Sequence, residues 1–382
     1  MIDGKRAIAV LGCGGMGGGH AGAIGTGSGA TVWRVESIAN AKLKHREGDT
    51  DIAKKLTLAG TYDIAPERQA WARAQGFYAY DSYDAILADD RVDIVLIATP
   101  NHLHKDEAIR AMRAGKHVLC EKPVMISSKE FEDVMAVAKE TGKVFYPRQN
   151  RRWDKDYLII KKIYDEKQVG DVFNIESRVH GSRGIPGDWR GIKEYGGGMM
   201  LDWGVHLLDR ILDMVPGKVK KVFASMTHIT NTECDDGFKM HMTFDSGLTA
   251  VIEVGTCNFI NLPLWYIAGN QGTAVIQSWQ CDGKIVRLES WEDKDAVPIL
   301  AGEGLTKTMA PRAEGSSITE YPLPAVKYDA NELYSNLVDV VNFAEGGDRA
   351  TQIVTCEQVM RCLKLMEAAF ESDEKGIVVN FE

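Results

Sequence analysis

Continuous apolar runs alternate with helix-like periodicity through the first ~150 residues, after which the rhythm changes. Ala7-Ile8-Ala9-Val10-Leu11 contains no polar position, the pattern of a parallel strand buried on both faces. A glycine-rich turn and a helix-like segment follow. Leu56 to Tyr62 is a second strand candidate, ending at Asp63, and Ala65-Pro66-Glu67-Arg68 opens a helix with proline in its first turn. Residues 93–98 form a third buried strand closed by Thr99-Pro100-Asn101. A helix over 104–114 stops at Gly115, the strand 116–120 runs into Glu121-Lys122-Pro123, and a helix over 128–141 precedes a strand at Val144 to Tyr146. This alternation predicts a doubly wound parallel sheet.

Beyond residue 150, strand-like runs at 171–180, 220–230, 237–245, 248–257, 262–269 and 273–278 follow one another without intervening helices. They predict an α+β unit with one open, mainly antiparallel sheet. Residues 196–215 and about 329–372 read as helical, Gly376 to Phe381 as an edge strand, and 280–328 as hairpins and surface loop. A chain of 382 residues exceeds one ordinary core, so two domains are expected, 1–148 and 149–382.

Composition narrows the function classes. The chain is 45% hydrophobic and 26% charged, as a folded globular protein is. A net charge of −9, with the densest basic stretch (Lys42 to Arg46) followed at once by Glu47 and Asp49, argues against a nucleic-acid partner. Seven scattered cysteines without a CxxC pair indicate reduced thiols and no zinc ribbon. No apolar segment approaches the ~20 residues that span a bilayer, and the start at Met1 lacks a signal-peptide pattern. A soluble, cytoplasmic protein without a membrane partner is expected.

Three motifs carry chemistry. Gly12-Cys13-Gly14-Gly15-Met16-Gly17 matches G-x-G-x-x-G directly after a buried strand and before a helix, the context that a dinucleotide pyrophosphate requires. The helix N-terminus offers free N–H groups to phosphate. The alternative is a glycine-rich turn without a ligand. The adenosine ribose calls for an acidic residue after the next strand. Glu36 has nearly the usual spacing, but Asp63 ends a good strand before a good helix and is preferred, which makes residues 26–55 an insertion. No arginine immediately follows Asp63 to neutralise a 2′-phosphate, so NAD is favoured over NADP.

Glu121-Lys122-Pro123 sits at the C-terminal edge of a parallel strand, where open α/β sheets bind ligands. A lysine there can stabilise an oxyanion as hydride leaves; the plainer reading is a surface charge. Gly196-Gly197-Gly198 leads to Asp202 and His206, four apart on one helical face. Two polar residues on an apolar helix need a reason: a structural pair, or a substrate site with His206 as general base and Asp202 orienting it or bonding a neighbouring substrate hydroxyl. Asp209 reads as a structural partner. No metal-ligand spacing is evident.

In this order, the glycine fingerprint, Glu-Lys-Pro, Trp-Arg, Gly-Gly-Gly and Asp-x-x-x-His resemble the Gfo/Idh/MocA oxidoreductases over nearly the whole chain. The resemblance implies a Rossmann domain followed by an open-sheet domain, NAD(P)-dependent oxidation or reduction of sugars, glycosides and cyclitols, and homo-oligomers (dimers or tetramers) built through the sheet. By that resemblance Lys122, Asp202 and His206 fall on catalytic positions. Thr99, Asn101, His104, Glu121, Trp189 and Arg190 fall near the cofactor, with Gly12, Gly14, Gly15, Met16, Gly17 and Asp63. Arg151-Arg152-Trp153 matches the family's basic segment at the domain boundary, either a salt-bridged hinge or, through Arg152 and Trp153, a substrate contact. Hydride transfer to or from a secondary hydroxyl is the leading expectation. A glycoside 3-oxidation with retained cofactor, or an NAD-dependent glycosidase, is the alternative.

Overall fold

Five apolar runs pair as parallel neighbours: Arg6–Leu11 (β1), Leu56–Tyr62 (β2), Ile94–Ile97 (β3), His117–Cys120 (β4) and Phe145–Pro147 (β5), in the order β2-β1-β3-β4-β5. β3 and β4 are buried at every position, as strands covered on both faces must be. The computed structural model describes residues 1–25, 32–34, 42–44, 51–291, 298–309, 317–327, 329 and 331–382. Glu36 and most of the expected insertion at 26–55 lie outside the described residues.

Helices Gly15–Gly25 (α1), Pro66–Ala74 (α2), His104–Arg113 (α3) and Ser128–Thr141 (α4) follow successive strands. α4 is capped by the Ser127 hydroxyl and closed by Gly142 in the left-handed region (φ 67°), so its sequence boundaries are physical ones.

The second sheet has nine strands: Val172–His180 (β6), Val219–Thr227 (β7), Gly237–Phe244 (β8), Thr249–Gly255 (β9), Trp265–Gly269 (β10), Gly272–Ile276 (β11), Gly283–Leu288 (β12), Ile318–Pro322 (β13) and Val379–Asn380 (β14). Their order is β13-β12-β11-β10-β6-β9-β8-β7-β14. All pairs are antiparallel except β6 with β9. Alternation is clean: in β8 Phe238, Met240, Met242 and Phe244 are buried, while Lys239 and His241 are exposed.

Two departures from the sequence reading concern helices. Lys155–Asp165 (α5) is a helix where strands alone were expected to begin; Tyr157, Ile159, Ile160 and Ile163 give it a buried face. The expected helix 196–215 is a glycine loop, a wide π-type turn at Met200–Gly204, and only then an α-helix, Val205–Met214 (α6). The late helical region is likewise two helices, Glu332–Ala344 (α7) and Cys356–Lys375 (α8). α7 returns to the first sheet: Arg6 Nε donates to Asn342 Oδ1 (2.8 Å), and Glu345, just past the helix end, pairs with Arg6 and with His117. No described helix is long and apolar enough to cross a membrane.

Candidate active site

The glycine loop fits a dinucleotide. Gly12 has φ +85°, and a Cβ there would lie 2.7 Å from the Ala98 carbonyl oxygen; a Cβ on Gly17 would lie 1.7 Å from the Gly12 oxygen. Both positions admit only glycine. A Cβ on Gly14 or Gly15, by contrast, would meet nothing within 4 Å, so the face of the loop at the start of α1 is open where phosphates would be received. Met16 is half exposed beside it. Asp63, at the end of β2, accepts the Cys13 N–H (2.6 Å) and the Ala65 N–H (2.9 Å), so its carboxylate is fixed against the same loop.

The loop after β3 is held from below. His104 bonds the Pro123 carbonyl and the Thr99 carbonyl, each at 2.9 Å, which occupies both ring nitrogens. Thr99 donates its hydroxyl to Glu107 (2.5 Å), whose carboxyl is pushed up to about 7 by burial. Asn101 Nδ2 donates to the Gly196 carbonyl (2.8 Å), joining this loop to the glycine triplet of the other half. His104 thus faces protein carbonyls with both ring nitrogens, while Asn101 commits its amide nitrogen to Gly196.

Lys122 is placed by long-range contacts. Its ammonium donates to the Asp202 carbonyl and to Asp202 Oδ1, both at 2.8 Å, and the Lys122–Pro123 peptide is cis. Asp202 Oδ2 in turn accepts Arg190 Nε (3.2 Å), whose guanidinium lies 4.5 Å over the Trp189 ring and is paired with Asp188 (2.9 Å). Burial alone would raise the Asp202 carboxyl, but the Lys122 and Arg190 cations outweigh it and hold it below the usual range. The structure thus brings Trp189-Arg190, Lys122 and Asp202 together.

His206, on the first turn of α6, is buried, and its Nδ1 has no hydrogen-bond partner. Desolvation first, then the positive field of Lys122, Arg151, Arg210 and Arg148, holds the imidazole well below its ordinary pKa. It is uncharged at neutral pH, more firmly than the sequence reading of a near-neutral base implied. No hydrogen bond joins Asp202 to His206: Asp202, on the widened turn before α6, is turned to Lys122 and Arg190, and the Trp203 ring stands edge-on to His206 (centroids 6.0 Å).

Beside them lies a cavity of about 380 Å³ lined by Arg151, His180, Met199, Trp203, Thr256 and Trp279, among others. The Arg151 guanidinium sits 4.4 Å over Trp203 and 5.6 Å from Trp279 and is anchored by Asp154 (2.6 Å). Arg151 belongs to the basic segment 151–153 that the sequence singles out, whereas Trp279 lies far from every motif named there.

Three expected ligand contacts are instead engaged within the protein. Arg152 forms a bidentate pair with Asp209 (2.6 and 2.8 Å) and also reaches Asp213 and Gln358. Trp153 is buried and donates Nε1 to Glu332 (2.6 Å). The basic segment thus takes its salt-bridged form, with Asp209 as the structural partner. The Glu121 carboxylate points inward to His20 and Arg148, leaving only its backbone at the sheet edge. Asp235, which the sequence did not flag, accepts the Met200 N–H (2.7 Å) and so caps the turn that carries Asp202; burial pushes its carboxyl up to about 7.

Comparison with known proteins follows this geometry. Residues 6–149 match the model of the GFO_IDH_MocA oxidoreductase family with NAD-binding Rossmann fold, and residues 157–275 match the GFO/IDH/MocA C-terminal domain. A crystal structure of an NAD-binding protein from Listeria innocua is 44% identical, with a TM-score of 0.86 over 98% of this chain and 99% of that one. A scyllo-inositol 2-dehydrogenase (NADP(+)), IolW, from Bacillus subtilis is 28% identical over 306 residues, 78% of this chain and 82% of its own. The WlbA dehydrogenase from Chromobacterium violaceum, solved with NADH and UDP-GlcNAcA, shares the fold at 20% identity (TM-score 0.71, 100% and 97% covered).

Proposed function

The chain belongs to the Gfo/Idh/MocA oxidoreductase family, with an NAD-binding Rossmann domain, and from that premise we propose that it moves a hydride between NAD and a secondary hydroxyl of a sugar, glycoside or cyclitol. The observation that carries the proposal is the Lys122 ammonium, pinned by two bonds to Asp202 at the C-terminal edge of the parallel sheet, with an unengaged imidazole on the next helix.

The dinucleotide, when bound, supplies the hydride acceptor or donor. The Gly12–Gly17 loop and the N-terminus of α1 would receive its phosphates, and Asp63 its ribose. Lys122 would donate a hydrogen bond to the reacting oxygen and stabilise the negative charge that grows there as the C–H bond breaks. His206 would take the hydroxyl proton. Its Nδ1 is enclosed, which leaves Nε2 as the nitrogen that a substrate hydroxyl engages. An uncharged imidazole is the form able to accept that proton. Asp202 keeps Lys122 oriented, and the Trp203 and Trp279 rings offer faces to the apolar side of a sugar ring.

The test is a panel of inositols, aldoses and glycosides offered with NAD and with NADP, following absorbance of the reduced cofactor. Reduced cofactor rising with a polyol or sugar supports the proposal. Conversion of a glycoside with no net reduced cofactor would replace it with the retained-cofactor reading.

A further inference from the structure

Three buried side chains and the partly buried Arg148, from distant parts of the chain, meet directly behind Lys122. His20 projects from α1, Glu121 follows β4, Arg148 follows β5, and Tyr334 lies on α7. His20 Nε2 is 2.7 Å from Glu121 Oε1, the same oxygen that accepts Arg148 at 2.7 Å. His20 Nδ1 is 2.5 Å from the Tyr334 hydroxyl. Glu121 Oε2 accepts the backbone N–H of Lys122 (3.2 Å).

Chemistry fixes the direction of every bond. Arg148 can only donate, so Glu121 accepts from it. Glu121 is a carboxylate, so His20 must carry its proton on Nε2. Its Nδ1 is then bare, and the tyrosine O–H donates to it. The run of bonds from Tyr334 through His20 to Glu121 is satisfied by one histidine tautomer, which suits an imidazole that burial keeps uncharged. A structural ion pair would need only Glu121 and Arg148. The histidine and tyrosine add a link from the helix whose N-terminus faces the dinucleotide phosphates to the residue preceding Lys122.

We infer that His20, Glu121, Arg148 and Tyr334 form a positioning network that sets the place of Lys122 and ties it to the dinucleotide-binding helix. The inference rests on the assignment of Lys122 to the reacting oxygen; the existence of the constraint does not. None of the four side chains needs to touch substrate. They act through the backbone of residue 122, and a displacement of about 1 Å at such a residue is enough to cost roughly a hundredfold in rate.

The experiment compares wild type with Tyr334→Phe, which removes one hydroxyl, and His20→Gln, both as full chains. The first readout needs no turnover: the rate of reductive methylation of Lys122 by formaldehyde and a borohydride reductant, read by peptide mass, with Lys105 (paired with Asp133) as internal reference. Loosening should speed Lys122 labelling about fivefold in each variant and leave Lys105 unchanged. The second readout splits kcat from binding on whichever sugar is turned over: kcat falls by about 10- to 100-fold, the dinucleotide Kd stays within about threefold, and the double variant is no worse than the worse single one. Lys122 labelling within twofold of wild type in both folded variants overturns the inference. If wild type oxidises no sugar, the proposed function fails instead, and the labelling ratio still decides the network.

Discussion

Replacing Arg152 with methionine separates a framework role from a substrate contact. The side chain is 5% exposed, and its partner Asp209 3%. Three protein acceptors beside Asp209 depend on it: Asp213, Gln358 and the Ile353 carbonyl. Methionine keeps much of the volume and removes every donor, so Asp209 is left buried with its principal cation gone. Losing one partner of such a pair costs about 3–5 kcal/mol. For a unit of ~200 residues, where 1 kcal/mol moves Tm by about 2–4 °C, melting should fall by about 10 °C. The double variant Arg152→Met/Asp209→Leu should regain most of that loss, because two apolar groups replace the pair without leaving a charge. The assay is thermal unfolding followed by circular dichroism, with steady-state kinetics below the transition. Asp209 lies three residues beyond His206 on α6, so the single variant should lower kcat more than it raises KM for the sugar. An Arg152→Met protein that melts within 2 °C of wild type while KM rises tenfold or more would refute this reasoning and return Arg152 to the substrate.

Gly17→Ala should abolish reduced-dinucleotide binding, measured by fluorescence, because its Cβ would overlap the Gly12 oxygen; Gly15→Ala, whose Cβ meets nothing, should stay within about threefold. His206→Gln should lower kcat by about 10²- to 10⁴-fold. Since burial and the surrounding cations hold His206 well below its ordinary value, the wild-type kcat/KM profile should show no inflection from it near pH 6.5. Burial raises the Asp235 carboxyl to about 7 in the folded protein, well above the ordinary carboxylate range, so between that range and pH 7 the folded state holds more protons than the unfolded one, and stability falls as pH rises. Asp235→Asn removes that dependence. Its urea midpoint relative to wild type should therefore improve from pH 4 to 7, by up to about 1.4 kcal/mol per pH unit; a gap that is flat with pH contradicts the assignment.

Much of the first half was legible because parallel strands and the glycine loop are local signals. Val10 and Leu11 announce the strand, Gly12 and Gly17 the turn, and Pro66 the next helix start, each within a few residues. The order of Lys122, Asp202 and His206 along the chain was readable too, but not the two bonds that join Lys122 to Asp202, nor the widened turn that carries Asp202. α5 was missed although Tyr157, Ile160 and Ile163 have helical spacing, since the strand-rich stretch after it dominated the reading. His20, Tyr334, Asp235 and Trp279 carried no signal at all. Each matters through a partner 35 to 314 residues away or a wall shared with other strands, and a pattern of neighbours cannot report that.

The central claim is that an ammonium group at position 122 stabilises charge on the oxygen that loses its hydrogen. Pre-steady-state formation of reduced cofactor by Lys122→Ala, at saturating cofactor and substrate, tests this most directly. A burst slowed by about 10²- to 10³-fold, with dinucleotide affinity unchanged within threefold, is the predicted result; a burst as fast as that of wild type would contradict it.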